Sequence, residues 1–177
     1  MTRDQMPGAT PPGPEGPSVL LVEVRDRVAT LTLHRPAARH ALSSELITAL
    51  RAALARLDGD DVDVVVLTGA DPAFCAGLDL KELGSTGGNL ELLSPDSGEL
   101  AAPWAPIGKP LIGAVNGAAV TGGLELALHC DILAASERAR FADTHARVGV
   151  MPAWGMTILL PRAVGSRLAR QMSLTGD

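Results

Sequence analysis

The chain has 177 residues, a mass of 18.2 kDa and a formal charge of −5, from 15 Lys and Arg against 20 Asp and Glu. With 46% hydrophobic residues it can fill one aliphatic core, which excludes collagen-like, disordered and disulfide-rich classes. The acidic balance and the 2% aromatic content leave no basic footprint and no stacking platform, so nucleic acid is excluded as a partner.

Residues 7–17 hold five Pro and three Gly among eleven, a composition that cannot bury enough apolar surface to offset its ordering entropy. The expected division is therefore a disordered leader over residues 1–17 and one folded unit over 18–177. Val19–Val22, a charged turn at Arg25-Asp26-Arg27 and the alternating Val28–Leu33 predict a β-hairpin. Pro36 ends it. Leu42, Leu46, Ile47, Leu50, Leu54 and Leu57 recur at helical spacing, with Ser43 or Ser44 as N-cap and a stop at Asp58-Gly59.

Val62–Leu67 is a short unbroken apolar run, the pattern of an inner parallel strand. Phe74–Leu80 leads into a short helix, and the polar, Gly-rich stretch from Gly84 to Gly98 predicts a surface loop. Leu111–Val115 repeats the buried-strand pattern, runs through Asn116-Gly117 to Thr121-Gly122-Gly123, and gives way to an apolar helix from Leu124. Ile132–Ala135 predicts one more strand. Strands alternating with helices place the chain in the α/β class, with Gly-rich junctions where strand meets helix. Ligands collect at such junctions, because helix N-termini present free N–H groups there.

Several chemistries are weakly supported or absent. Gly122 is followed by Gly123 and not by the Lys of a phosphate loop, and no Gly-x-Ser-x-Gly nucleophile elbow occurs. The spacing of Thr121, Asp143 and His145 gives no support to a hydroxyl triad. Cys75 and Cys130 form no CxxC pair and have no His at zinc spacing, so they are expected to be buried thiols in a reducing compartment, without a metal. No signal-peptide core and no run of eighteen apolar residues is present, and the protein is expected to be cytoplasmic and off the membrane.

Ala73-Phe74-Cys75-Ala76-Gly77-Leu78-Asp79-Leu80-Lys81-Glu82, Lys109 to Gly117, Gly122-Gly123-Leu124-Glu125-Leu126-Ala127 and Cys130-Asp131 occur in that order. Together with His34-Arg35-Pro36, Ala41-Leu42, Phe141 and Arg162-Ala163-Val164-Gly165, they resemble the crotonase (enoyl-CoA hydratase/isomerase) family from Ser18 to the last residue. The resemblance implies a spiral of repeated β-β-α units that binds an acyl-CoA thioester. It also implies no resident cofactor, coenzyme A being part of the substrate. The N–H groups of Leu78 and Gly122 would form an oxyanion hole for the enolate, and Glu125 would be an acid/base carboxylate. The same carboxylate has a plainer reading, as a charge that favours a helix N-terminus.

The resemblance further implies coenzyme A contacts along Arg35, Pro36 and Arg39, and along Ala76, Gly77, Asp79 and Leu80. Arg35 and Arg39 would meet the phosphates, with ordinary solvated charge as the alternative. Three departures stand out. His145 occupies the position of the family's second acid/base Glu, where it would hold water. Met151-Pro152-Ala153-Trp154-Gly155 replaces a smaller Gly-rich stretch, so Trp154 is expected to reshape the acyl pocket. The chain stops before the family's C-terminal helical segment, which contributes to homotrimer and hexamer packing. The implied activity is hydration of 2-enoyl-CoA in fatty acid metabolism. The alternatives are a one-base isomerase or other reaction of the fold, or a non-catalytic acyl-CoA-binding subunit.

Overall fold

The first hairpin forms from β1 (Leu20–Arg25) and β2 (Val28–Leu33), antiparallel, with Leu20 opposite Leu33 and Arg25 opposite Val28. Asp26 and Arg27 turn the chain with φ of 49° and 63°, the double left-handed geometry that matches the twist of paired strands. The computed structural model describes residues 18–59, 61–85 and 102–177. The expected leader over 1–17 lies outside the described residues. So does the expected loop, apart from Gly84 and Ser85, which close a helix.

After a 3₁₀ turn at Pro36–Ala38 comes α1 (Ser44–Leu57). Ser43 is the N-cap of the two candidates, its hydroxyl accepting from the Leu46 N–H at 3.2 Å, an arrangement that stabilises a helix by about 1 kcal/mol. The order continues with β3 (Val64–Gly69), α2 (Leu80–Ser85), β4 (Leu111–Val115), β5 (Ala118–Val120) and α3 (Gly122–Leu128). It ends with β6 (Ile132–Ala135), β7 (Arg140–Ala142), α4 (His145–Val148), α5 (Met156–Val164) and α6 (Ser166–Thr175).

β1, β2, β3, β4 and β6 form a five-stranded sheet in that order, parallel from β2 onward. One row across it runs Leu31, Leu67, Gly113, Leu133. A side chain at Gly113 would meet Leu133 at 2.6 Å and the Cys130 sulfur at 3.1 Å, so glycine is what lets the β6 turn close onto the sheet. β5 and β7 pair in parallel as a small second layer, extended by a bridge from Cys75 to Ala119. The β-β-α repeat is thus present in β1-β2-α1, β4-β5-α3 and β6-β7-α4, with the Cys75 bridge standing for the second strand of the β3 unit.

Leu31, Leu33, Val65, Leu67 and Leu111 from the sheet and Leu46, Ile47, Leu50 and Leu54 from α1 belong to one core cluster. Each fully buried Leu contributes roughly 1.5–3 kcal/mol of transfer free energy. A second cluster joins Leu124 of α3 with Met156 and Leu160 of α5 and Ala169 and Met172 of α6. β3 starts two residues later than the run at Val62 implied, and β6, at the sheet edge, is exposed along its length.

Candidate functional site

Two strand–helix junctions meet at one place. Gly77 has a φ of +88°, and a Cβ on it would lie 2.8 Å from the Val120 carbonyl oxygen and 3.3 Å from the Gly122 nitrogen. A Cβ on Gly122, the first residue of α3, would lie 3.8 Å from the Leu78 nitrogen. Leu78 is fixed from both sides by Leu42: the Leu42 N–H donates to Gly77 at 2.7 Å, and the Asp79 N–H donates to Leu42 at 3.1 Å. Among the described residues neither the Leu78 nor the Gly122 N–H donates a hydrogen bond. Two unspent donors therefore sit side by side, one at a helix N-terminus where the peptide dipoles favour negative charge.

A cavity of about 170 Å³ opens next to them. Ala76, Leu78 and Leu80 line it from the first junction, Glu125 from α3, His145 from α4, and Met151 and Ala153 from the segment that follows. The structure thus brings together Glu125, His145, Leu78, Ala76 and Leu80, with Gly77 and Gly122 abutting behind them. Glu125 sits in the first turn of α3 because it is the third residue after Gly122, which returns its side chain to the face of the helix start.

Glu125 is 2% exposed and His145 is 4% exposed. The Trp154 N–H donates to Oε1 of Glu125 at 2.8 Å, while Oε2 faces Nε2 of His145 at 3.6 Å. The other ring nitrogen, Nδ1, bonds Oδ1 of Asp143 at 2.6 Å, and the Ser173 hydroxyl donates to Oδ2 of Asp143 at 2.6 Å. Burial opposes charge on the ring, but Glu125 and Asp143 outweigh it and raise His145 above the ordinary histidine range. Burial likewise pushes Asp143 up, and the bonds from Ser173 and His145 more than reverse this, holding it below the usual carboxylate range.

Asp143 and His145 are therefore paired although their spacing gave no support for it. The pairing arises because the chain turns tightly between β7 and α4, so that side chains two apart meet. Thr121 takes no part in it: its hydroxyl bonds that of Thr144 at 2.6 Å. Trp154 does not shape the pocket as expected. Its ring is 1% exposed in the main core, and its carbonyl accepts from Nε2 of His129 at 2.8 Å. The main chain of Trp154, rather than its bulk, serves the site.

The expected phosphate contacts separate into two kinds. Arg35 is ion-paired with Asp79 at 2.8 Å and bonded to the Ala41 carbonyl, so part of its guanidinium is already committed within the fold. Asp79 in turn accepts from the N–H groups of Lys81 and Glu82, capping α2. Burial alone would raise Asp79, but Arg35 and these N–H groups hold it below the carboxylate range. Arg39 is exposed, with no ion pair among the described residues. Its carbonyl accepts the Ala76 N–H at 3.0 Å, which lays the Pro36–Arg39 turn against the first junction.

Sequence reasoning missed His40, which is fully buried. Its Nδ1 accepts from the Arg35 N–H at 2.9 Å and its Nε2 donates to the Ala70 carbonyl at 2.6 Å, the pattern of a neutral ring. Burial, the largest influence, holds it below the ordinary range. A lone His between Arg39 and Ala41 carries no signal of this.

A family model described as Enoyl-CoA hydratase/isomerase matches residues 23–177. The chain is 40% identical over 149 residues to a probable peroxisomal enoyl-CoA hydratase 1 of Arabidopsis thaliana, covering 84% of this chain and 56% of that one. It is 44% identical over 154 residues to a mitochondrial enoyl-CoA hydratase of Pongo abelii, covering 85% and 52%. The crystal structure of an enoyl-CoA hydratase from Mycobacterium tuberculosis H37Rv superposes with a TM-score of 0.79 at 58% identity, covering 90% of this chain and 65% of that one. The chain spans 56% and 52% of the lengths of these two curated relatives.

Proposed function

We propose an acyl-CoA activity for this chain, which belongs to the enoyl-CoA hydratase/isomerase family: addition of water across the double bond of a 2-enoyl-CoA. The observation that carries this reading is the meeting of the two junctions, with Leu78 and Gly122 N–H groups unspent beside the Glu125 carboxylate in one cavity.

In this reading the thioester oxygen lies between the two N–H groups. Glu125 takes a proton from water as the water oxygen bonds C3. The π-electron pair moves toward the thioester oxygen, where the two donors stabilise the enolate. Nε2–H of His145 gives its proton to C2, and the proton on Glu125 crosses the 3.6 Å gap to restore the imidazolium. One water is consumed and both side chains return to their starting state. Losing one oxyanion donor costs roughly 3–4 kcal/mol of barrier.

Coenzyme A would run past Pro36 and Arg39 and along the Ala76–Leu80 backbone, with Arg39 meeting a phosphate. Arg35 and Asp79 act here as supports for that backbone. Assembly into homotrimers, alone or paired as hexamers, belongs to the same proposal. So does a cytoplasmic location, although named relatives include peroxisomal and mitochondrial proteins. Among the described residues no helix is long and apolar enough to cross a membrane.

Gly122→Pro tests the reading directly. Proline is tolerated at the first position of a helix, and at Gly122 a Cβ would meet only the tip of Leu42, at 3.0 Å, as its near neighbour. The variant should keep its circular dichroism and lose hydration of crotonyl-CoA. Full activity in a folded variant excludes the oxyanion role. Alpha-proton exchange without hydration in the parent would move the conclusion to isomerisation.

A further inference from the structure

His145 is held by more than its neighbour across the cavity. On one side its Nδ1 and its own main-chain N–H both reach Oδ1 of Asp143, at 2.6 and 3.3 Å. Asp143 is 2% exposed, and its second oxygen is taken by the Ser173 hydroxyl from α6. On the other side Nε2 faces Glu125. Both carboxylate oxygens of Asp143 are thus accepting, and its side chain has no direct path to the cavity except through the imidazole.

We propose that Asp143, itself steadied by Ser173, is a positioning residue for His145: it commits Nδ1–H and leaves Nε2 as the one edge of the ring that serves Glu125 and the cavity. A neutral imidazole has two tautomers, and a carboxylate accepting from Nδ1–H selects the one with a free Nε2. When Nε2 is protonated the ring stands between two carboxylates, and the cluster carries a net charge of −1. Replacing a carboxylate by His145 therefore does not empty the site of its second carboxylate; Asp143 supplies one, a hydrogen bond further from the cavity. The titratable groups facing the ring are Glu125 from α3 and Asp143 from the turn before α4, while α6 contributes the neutral Ser173. The raised His145 ionisation agrees with this arrangement.

Only the kinetic arm of the test rests on the hydratase reading. The first measurement is ¹⁵N NMR of the His145 ring in the full chain across pH. In the parent, Nδ1 should stay protonated while Nε2 titrates above pH 6.5, and Asp143→Asn should lower that midpoint by at least about one pH unit, a tenfold change in proton affinity. A parent ring carrying its neutral-state proton on Nε2, or a midpoint unmoved in Asp143→Asn, overturns the proposal. Should Asp143→Asn fail to fold, the tautomer in the parent still decides. Ser173→Ala keeps every charge and should speed solvent exchange of the Nδ1 proton several-fold; unchanged exchange removes Ser173 from the arrangement.

The second measurement is a double-mutant cycle in crotonyl-CoA hydration. Asp143→Asn should lower kcat at least about tenfold with KM changed less than threefold, and Asp143→Glu should recover part of the loss. In a His145→Gln background, Asp143→Asn should cost less than about twofold, because nothing is left for it to position. Equal losses in both backgrounds would make Asp143 a fold residue only and overturn the proposal. A parent without turnover would defeat the hydratase reading instead, with the NMR result standing on its own.

Discussion

Oε1 of Glu125 accepts the main-chain N–H of Trp154 at 2.8 Å, so the carboxylate at the start of α3 is anchored by a residue 29 positions later. That anchor separates two roles of Glu125 by substitution. Gln retains an acceptor oxygen for Trp154 but cannot act as a base; Glu125→Gln should lose roughly 100- to 10,000-fold in hydration while its unfolding midpoint in urea stays near the parent's. Glu125→Ala should lose the same activity and also leave the buried N–H unpaired, costing about 1–3 kcal/mol in stability. A destabilised Gln variant, or an active one, contradicts this.

Arg35 and Asp79 give a second test. Their pair is mostly buried, with side chains 23% and 12% exposed, and it joins the segment before α1 to the loop that presents Leu78. Arg35→Ala strands the Asp79 charge and removes a charge-assisted bond, so chemical denaturation should show a loss of roughly 1.5–3 kcal/mol. If Arg35 instead gripped a phosphate, the variant would keep its stability and weaken coenzyme A binding alone.

The titrating groups predict a stability profile with opposed slopes. His145 binds its proton more tightly folded than unfolded, so its contribution is full below the unfolded pKa near 6.5 and fades as pH rises through the raised folded value. His40 is depressed on folding, so its contribution is present above 6.5 and fades as pH falls through the folded value. Asp143 adds an acid loss below the ordinary carboxylate range, near 3.8. Thermal unfolding against pH should show His145→Gln losing the alkaline decline and His40→Gln losing part of the acid one. Parallel curves for parent and variants would refute the assignment.

Gly77 supplies a backbone test. At φ of +88° a side chain is strained, and its Cβ would press on Val120 at 2.8 Å and Thr121 at 2.9 Å. Gly77→Ala should destabilise by about 1–3 kcal/mol and push the junctions apart, with activity falling further than stability explains. Gly123→Ala should be worse, since its Cβ would lie 2.1 Å from the Cys75 carbonyl oxygen. A well-folded, active Gly123→Ala protein would contradict the abutment.

The long elements were legible because their periodicity reports burial: α1 follows its leucines, β2 its alternation and β4 its apolar run. β5 and β7 were not, since three residues are too few to show any period. At the site, the residues from the ordered motifs converge: Leu78, Glu125 and His145 line one cavity, with Gly122 abutting behind them. What escaped was pairing. Arg35 with Asp79 spans 44 positions, and Asp143 with Ser173 spans 30, and no spacing rule joins side chains that distant. Even Asp143 with His145, two apart, depends on a turn whose dihedral angles the residue types do not dictate.

The bond between Ser173 and Asp143 also has a meaning in time. β1, β2 and β3 can pair once the first seventy residues have emerged during synthesis, but Glu125 must wait for Trp154, and Asp143 must wait for Ser173. The sheet is a scaffold raised early. The Ser173 bond to Asp143 forms only when α6 docks, so a nascent chain stalled before residue 173 would carry the cavity's walls with the Asp143–His145 pair lacking that support.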